Sequence, residues 1–139
     1  MIVFDTDVLS RLLYGDRTLL ARAAQLEPGE QSVPIVVLEE IMRGRLNSIR
    51  QAELKRTGTP LERAYELFER TFTRLRHVAV LAYGAAAHEQ FQAWRRQRLR
   101  LSTHDLRIAA ICVAESATLA TCNRRDFERV PELTVEFWD

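Results

Sequence analysis

Apolar positions along the chain alternate between short unbroken runs and helical spacing. Ile2-Val3-Phe4 is a short apolar run closed by Asp5-Thr6-Asp7, the pattern of a buried strand ending in a polar turn. Val8, Leu9, Leu12 and Leu13 then fall on one helical face, which Asp7 is suited to cap and Gly15 to stop. A second helical pattern runs through Leu19, Leu20, Ala23, Ala24 and Leu26 and closes at Pro28-Gly29. Ser32 to Val37 is β-branched and apolar, with Pro34 tolerated near a strand's first residues. From about Leu38 the spacing Leu38, Ile41, Met42 becomes helical.

The clearest helix start is Thr59-Pro60-Leu61-Glu62. Thr59 can cap, Pro60 suits the first helical position, and Glu62 completes a capping box. Leu61, Ala64, Tyr65, Phe68, Phe72 and Leu75 then form one face. Val78 to Leu81 is predicted as a strand and Ala82 to about Arg98 as a helix with a basic end. Ser102-Thr103 offers a cap for a helix through Ile108, Ala109, Cys112 and Val113. Thr118 to Thr121 and Leu133 to Trp138 are the last two predicted strands. Strands alternating with helices imply a parallel sheet covered on both faces, an α/β fold.

Composition narrows the class further. The 139 residues, 47% hydrophobic and 28% charged, fit one domain spanning 1–139. No run of eighteen apolar residues predicts a membrane-spanning helix, and Asp5 comes too early for a secretory leader, so a cytoplasmic protein is expected. Two Cys without Cys-x-x-Cys spacing exclude a disulfide framework or a Cys-built zinc site. Twenty basic residues balance nineteen acidic ones, so overall charge says nothing about a polyanionic partner. Lys55 is the only lysine; the arginines cluster in Arg43 to Arg56 and Arg95 to Arg107.

The informative feature is where the acids fall. Asp5 and Asp7 follow the first strand, Glu39 and Glu40 lie in the first turn after the second, and Asp126 lies in the loop after the fourth. Ligands of open parallel sheets bind outside the carboxyl ends of the strands, so these regions share one rim. Asp105 starts a helix that feeds a strand, and such helix starts are expected at the opposite rim; periodicity alone cannot bring it to the other acids. Each acid also has a structural alternative: favourable interaction with a helix dipole for Glu39, Glu40 and Asp105, a cap for Asp7, a turn for Asp126. Asp5 resists that reading, because a strand end beside Phe4 is a costly place for an unpaired charge. Carboxylates gathered at one rim would raise one another's pKa unless a cation held them. Phosphate-loop and nucleophile-elbow motifs are absent, as is a His-Glu-x-x-His pair. His104, beside Asp105, is the candidate proton donor, while Cys112 and Cys122 read as small core residues.

These residues resemble the PIN-domain family, specifically VapC-type toxins of bacterial toxin–antitoxin pairs. The resemblance rests on Ile-Val-Phe-Asp5-Thr6-Asp7, Val-Leu-Glu39-Glu40-Ile-Met-Arg-Gly44, Asp105-Leu-Arg-Ile-Ala-Ala, and Thr121-Cys-Asn123-Arg-Arg-Asp126-Phe127 followed by Val130-Pro131 and Trp138. It implies a three-layer α/β/α fold with a mostly parallel sheet of four to five strands. It also implies a metal-dependent endoribonuclease in which Asp5, Glu40 and Asp105 are the first three acids. Gly44, four residues on, selects Glu40 over Glu39. Asp126 is taken as the fourth acid, with Asn123 as the neutral alternative. Thr6 and Thr121 would support the first and fourth positions through their hydroxyls, and the Asp105 helix start would reach the pocket. Three positions depart from the family pattern without removing an acid: Asp7 is more often Asn, Val37 replaces a hydroxyl residue, and a Gly is missing before Asp105.

Hard oxygen ligands of this kind select Mg²⁺ or Mn²⁺, with Asp5 and Asp105 as principal ligands and Glu40 and Asp126 completing the shell or orienting water. Arg95, Arg96, Arg98 and Arg100, which lead into Asp105, are the candidate RNA-backbone contacts, or else a solvated helix face. The resemblance further implies a VapB-like antitoxin that covers the pocket, and a homodimer; helix 61–75 is either an interaction face or an ordinary core helix. Two other readings are a catalytically silent PIN-fold binding module and a phosphatase of the haloacid-dehalogenase type. The second is suggested by Asp5-x-Asp7 but poorly served by Lys55.

Overall fold

The computed structural model describes residues Met1–Asp139. Its centre is a five-stranded sheet: β1 (Ile2–Phe4), β2 (Gln31–Pro34), β3 (Val80–Leu81), β4 (Thr118–Thr121) and β5 (Thr134–Phe137). The order is β3-β2-β1-β4-β5 and every pairing is parallel. The helices are α1 (Thr6–Leu13), α2 (Arg17–Ala23), α3 (Ile35–Glu53), α4 (Leu61–Leu75), α5 (Ala85–Arg96), α6 (Thr103–Ala114) and α7 (Arg124–Phe127). From β1 the chain builds outward through β2 and β3, then crosses back to lay β4 and β5 on the other side. The carboxyl ends of β1 and β4 therefore flank the point where strand order reverses, the crevice in which such sheets bind ligands.

One core cluster holds this arrangement. Val3, Val33 and Leu119 on the three central strands are fully buried together with Ile108 to Cys112 of α6. Trp94 and Trp138 fill the ends of the core, and Phe4 meets Trp138 edge-on at 5.3 Å. A second, small cluster of Ile49, Ala52 and Ala64 joins α3 to α4, leaving Tyr65 and Phe72 of α4 more than half exposed. No helix is long and apolar enough to cross a membrane.

Several boundaries differ from the sequence expectation, each for a local reason. β2 ends at Pro34, and Ile35–Val37 belong to α3. Pro34 lacks an N–H to continue the ladder, and Val36 and Val37 bury as well on a helix as they would on a strand. Glu39 and Glu40 consequently lie in the second turn of α3. The cap of α1 is Asp5 and not Asp7, because the helix starts without an intervening turn; Asp5 accepts a hydrogen bond from Val8 N at 2.8 Å. Pro60, not Thr59, occupies the cap position of α4, with no side-chain cap. α5 spans less than Ala82–Arg98: it begins after Gly84 and stops before Arg98, whose φ of 57° breaks the helix. α7 was not anticipated; Asn123 caps it, placing Asp126 in a helical turn.

Candidate active site

Asp5 sits where β1 gives way to α1 and is 4% exposed. One carboxylate oxygen accepts from Val8 N, the other from the Thr121 hydroxyl at the end of β4, and Thr121 Oγ1 in turn accepts from Asn123 N at 2.9 Å. Both hydrogen bonds favour the charged form. Burial outweighs them, and with repulsion from Asp7 and Asp105 the pKa is pushed from 3.8 to about 6. Thr121 thus serves the first acid directly, not the fourth as expected.

Glu40 and Asp105 carry raised pKa values for the same leading reason, burial. For Glu40, His104 and Thr6 act against the shift and Asp105 and Glu39 add to it. The Thr6 influence does not amount to a hydrogen bond: Thr6 Oγ1 and Glu40 Oε1 are both buried without a partner. Thr6 therefore faces Glu40 and makes no bond to Asp5. For Asp105, Ser102 and His104 oppose the rise and Asp126 adds to it. Asp105 is thus the hub, close enough to repel Asp5, Glu40 and Asp126 alike.

Asp105 reaches this rim because α6 runs antiparallel to the strand it feeds. α6 ends at Ala114 and Thr118 N bonds Met1 O at the amino edge of the sheet, so α6, about 18 Å long, must begin at the carboxyl edge. The opposite-rim expectation reversed that direction. The expected cap is present: Ser102 Oγ accepts from Asp105 N at 3.1 Å.

Asp126 differs from the other three acids. Asn123 Nδ2 donates to it at 3.0 Å and Arg129 Nη2 at 3.3 Å, while Asn123 Oδ1 caps its N–H at 3.2 Å. Arg129, which the sequence reading did not single out, also donates to Arg100 O at 3.1 Å and so ties the Arg98–Arg100 loop to the acids. Arg95 lies over the Phe91 ring at 5.6 Å, and Arg96 is exposed beside it. His104 Nε2 lies 3.2 Å from Glu39 Oε1, and Glu39 also pairs with Arg43, so His104 is engaged outside the four acids. Asp7 is exposed next to Asp5.

No group of three or more His, Cys, Asp or Glu side chains is arranged to hold a metal ion as it stands. The chemistry of the set nonetheless fits a hard divalent cation. Asp5, Glu40 and Asp105 have carboxylate oxygens, raised pKa values and no ion-pair partner, and Glu40 presents a buried oxygen with nothing bonded to it. A cation held partly through water would supply the missing charge. A cleft opens from Thr6 and Glu40 along Gly44 toward Tyr14 and Arg45.

Comparison with known proteins places this geometry in a family. The family model described as PIN domain matches residues 2–133. Ribonuclease VapC2 of Rickettsia felis is 46% identical over 41 residues, 30% of this chain and 31% of that protein. The match therefore spans under a third of that relative's length. Among solved structures, VapBC2 from Rickettsia felis bound to a promoter DNA fragment superposes with a TM-score of 0.76 at 21% identity, over 100% of both chains. A toxin–antitoxin complex from Klebsiella pneumoniae gives 0.74 at 22%, over 100% and 98%. DNA-bound VapBC from Salmonella typhimurium gives 0.75 at 20%, over 99% and 98%. At these identities the structural likeness is one of fold. With the family model spanning residues 2–133 and the sheet parallel throughout, the chain belongs to the PIN domain family.

Proposed function

We propose that this protein is a divalent-metal-dependent endoribonuclease acting as the VapC-type toxin of a toxin–antitoxin pair. The observation that carries the proposal is a set of carboxylates, buried Asp5 and half-buried Glu40 and Asp105, that repel one another and have no ion-pair partner. A folded chain tolerates such a cluster when a bound cation neutralises it.

Asp5 and Asp105 would be the principal ligands of Mg²⁺ or Mn²⁺, with Glu40 and Asp126 at its margin. The cation supplies Lewis acidity toward a phosphoryl oxygen and a lowered pKa for bound water. The chain's own residues do the rest. Val8 N and Thr121 fix the Asp5 carboxylate by its two oxygens, so it cannot rotate away from the crevice. Asn123 and Arg129 hold Asp126 in place by hydrogen bonds. Glu40 would complete the ion's shell or orient the attacking water. Arg95, Arg96, Arg98 and Arg100 border the Asp105 side, where they can meet RNA phosphates.

The fold likeness to VapBC and other toxin–antitoxin complexes supports a VapB-like partner, whose arginine would meet the same uncompensated acids. The half-exposed Tyr65 and Phe72 on α4 fit a homodimer contact. The test is incubation of the protein with total RNA in Mg²⁺, Mn²⁺ or EDTA, with mapping of the cut ends. Cleavage in either metal, absent in EDTA and absent in Asp5→Asn, is expected. RNA left intact under all conditions overturns the reading.

A further inference from the structure

Beyond the acids, the cleft continues into a second cavity of about 360 Å³, sharing Leu13, Tyr14 and Arg45 with the first. Four guanidinium groups line it, from Arg45, Arg63, Arg70 and Arg74, and no carboxylate does. Arg63 and Arg70 share Glu66 outside the cavity. Arg45 and Arg74 form no ion pair at all. Each is instead held by a neutral acceptor: Arg45 Nε by Thr71 Oγ1 at 3.0 Å, and Arg74 Nη1 by Leu13 O at 2.6 Å. Two cations fixed in place without counter-charge form a preorganised anion site, and the forked guanidinium suits phosphate.

Tyr14 stands where the two cavities meet. It is 73% exposed, yet it is held by Arg45, whose guanidinium lies 5.6 Å from the ring centroid and whose Nη1 is 3.4 Å from the hydroxyl. Gly15, with a φ of 86°, turns the chain immediately afterwards and leaves the ring projecting. An open aromatic face next to a guanidinium cluster is the chemistry of single-stranded nucleic-acid binding.

We infer that the Tyr14–Arg45–Arg63–Arg70–Arg74 cavity is a subsite for single-stranded RNA flanking the cut. Tyr14 stacks a base and the arginines take the phosphates beyond it. This rests on the nuclease reading of the acids, which places the cut phosphate at the other end of the same cleft. An acidic protein segment is the competing occupant, but it would have to run past Glu40 and Asp105 with no advantage over RNA at that end.

The experiment is fluorescence anisotropy with a labelled single-stranded RNA in EDTA, which prevents cleavage, titrated at several salt concentrations. Arg70→Gln/Arg74→Gln should weaken binding at least tenfold and lower the slope of log K against log salt by about 1.4. Arg70→Lys/Arg74→Lys should keep most of the slope, showing that charge and not folding was lost. Tyr14→Ala should weaken binding about tenfold. Arg17→Gln/Arg76→Gln, two exposed arginines outside the cavity, should change little; an equal loss there shows diffuse attraction and overturns the inference. Unchanged binding in the Arg70/Arg74 and Tyr14 variants also overturns it while leaving the nuclease reading intact. Wild-type protein that neither binds nor cuts RNA removes both. Poly-glutamate bound as tightly as RNA, and lost in the same variants, reassigns the cavity to an acidic protein segment.

Discussion

Two sets of carboxylates in this molecule follow opposite rules. Asp16 and Asp139 lie at the surface, each bonded to an arginine, Arg11 at 2.9 Å and Arg124 at 2.8 Å. Their pKa values fall, led for Asp16 by the Leu19 N–H and for Asp139 by Arg124. Asp5, Glu40 and Asp105 lie at the carboxyl rim of the sheet with no arginine bonded to them, and their pKa values rise through burial and mutual repulsion. The chain has arginines in abundance, so the absence of a partner at the rim is not a shortage. It places the buried run Ile108 to Cys112 of α6 and a strand end behind acids left unpaired, as expected where a ligand from outside completes the charge balance.

The sharpest way to break that contrast is to remove the most buried member. Asp5→Asn is expected to abolish RNA cleavage, by roughly a thousandfold or more, while the protein melts at an equal or higher temperature. Asn can still cap α1 through its side-chain oxygen, and one repelling charge is gone. Combined loss of activity and of foldedness, read by circular dichroism, would make Asp5 an ordinary structural residue.

The pH dependence tests the same acid without activity. Asp5 titrates near 6 in the folded protein against 3.8 ordinarily, so the folded form holds its proton more tightly. Its contribution to stability is complete below about pH 4 and is lost as pH rises through 6, to a total of about 3 kcal/mol. Glu40 and Asp105 act with the same sign. Melting curves in EDTA should show Asp5→Asn gaining on the wild type between pH 4 and 7, then holding a constant lead. A lead that shrinks over that range contradicts the burial argument.

Metal addition follows next in size. An ion that binds only the folded form adds about 2.7 kcal/mol at a hundred times its Kd. Mn²⁺ should therefore raise the wild-type melting temperature by several degrees at pH 8. Asp5→Asn and Asp105→Asn should lose most of that rise. Asp16→Asn, on the paired side of the comparison, should keep it. Equal shifts in all four proteins would place the metal elsewhere.

What the sequence showed of this site follows from which interactions are local. β1, β4 and the Ser102 cap are encoded within a few residues, and they appear where the apolar runs and the cap placed them. Strand ends alone assigned Asp5, Asp7, Glu39 and Glu40 to the rim, and only the family resemblance, through Gly44, selected Glu40 over Glu39. Asp105 was not so assigned, because its place depends on the direction of α6, which is settled only when Thr118 pairs with Met1 at the amino edge of the sheet. The register of Glu40 was misjudged for a related reason: Val36 and Val37 are β-formers that packing recruited into α3. The Arg129 link to Arg100 and the Arg74 cavity were out of reach, since each depends on residues distant in sequence meeting across the fold.

Gly44 gives the smallest effect and the most local check on the comparison. It lies in the middle of α3, where glycine costs about 0.5–1 kcal/mol relative to alanine. Nothing in the packing requires it: a Cβ built there meets no atom within 4 Å, and its φ is not positive. It lines the cleft between Glu40 and Arg45, on the unpaired side of the molecule. Gly44→Ala should therefore raise the melting temperature by about 2–4 °C. The added methyl group enters the cleft and should reduce RNA cleavage several-fold, with the loss in KM more than in kcat. A stabilised variant with unchanged kinetics would show that the cleft floor tolerates a side chain, and that the bare helix surface beside Glu40 does not serve the ligand.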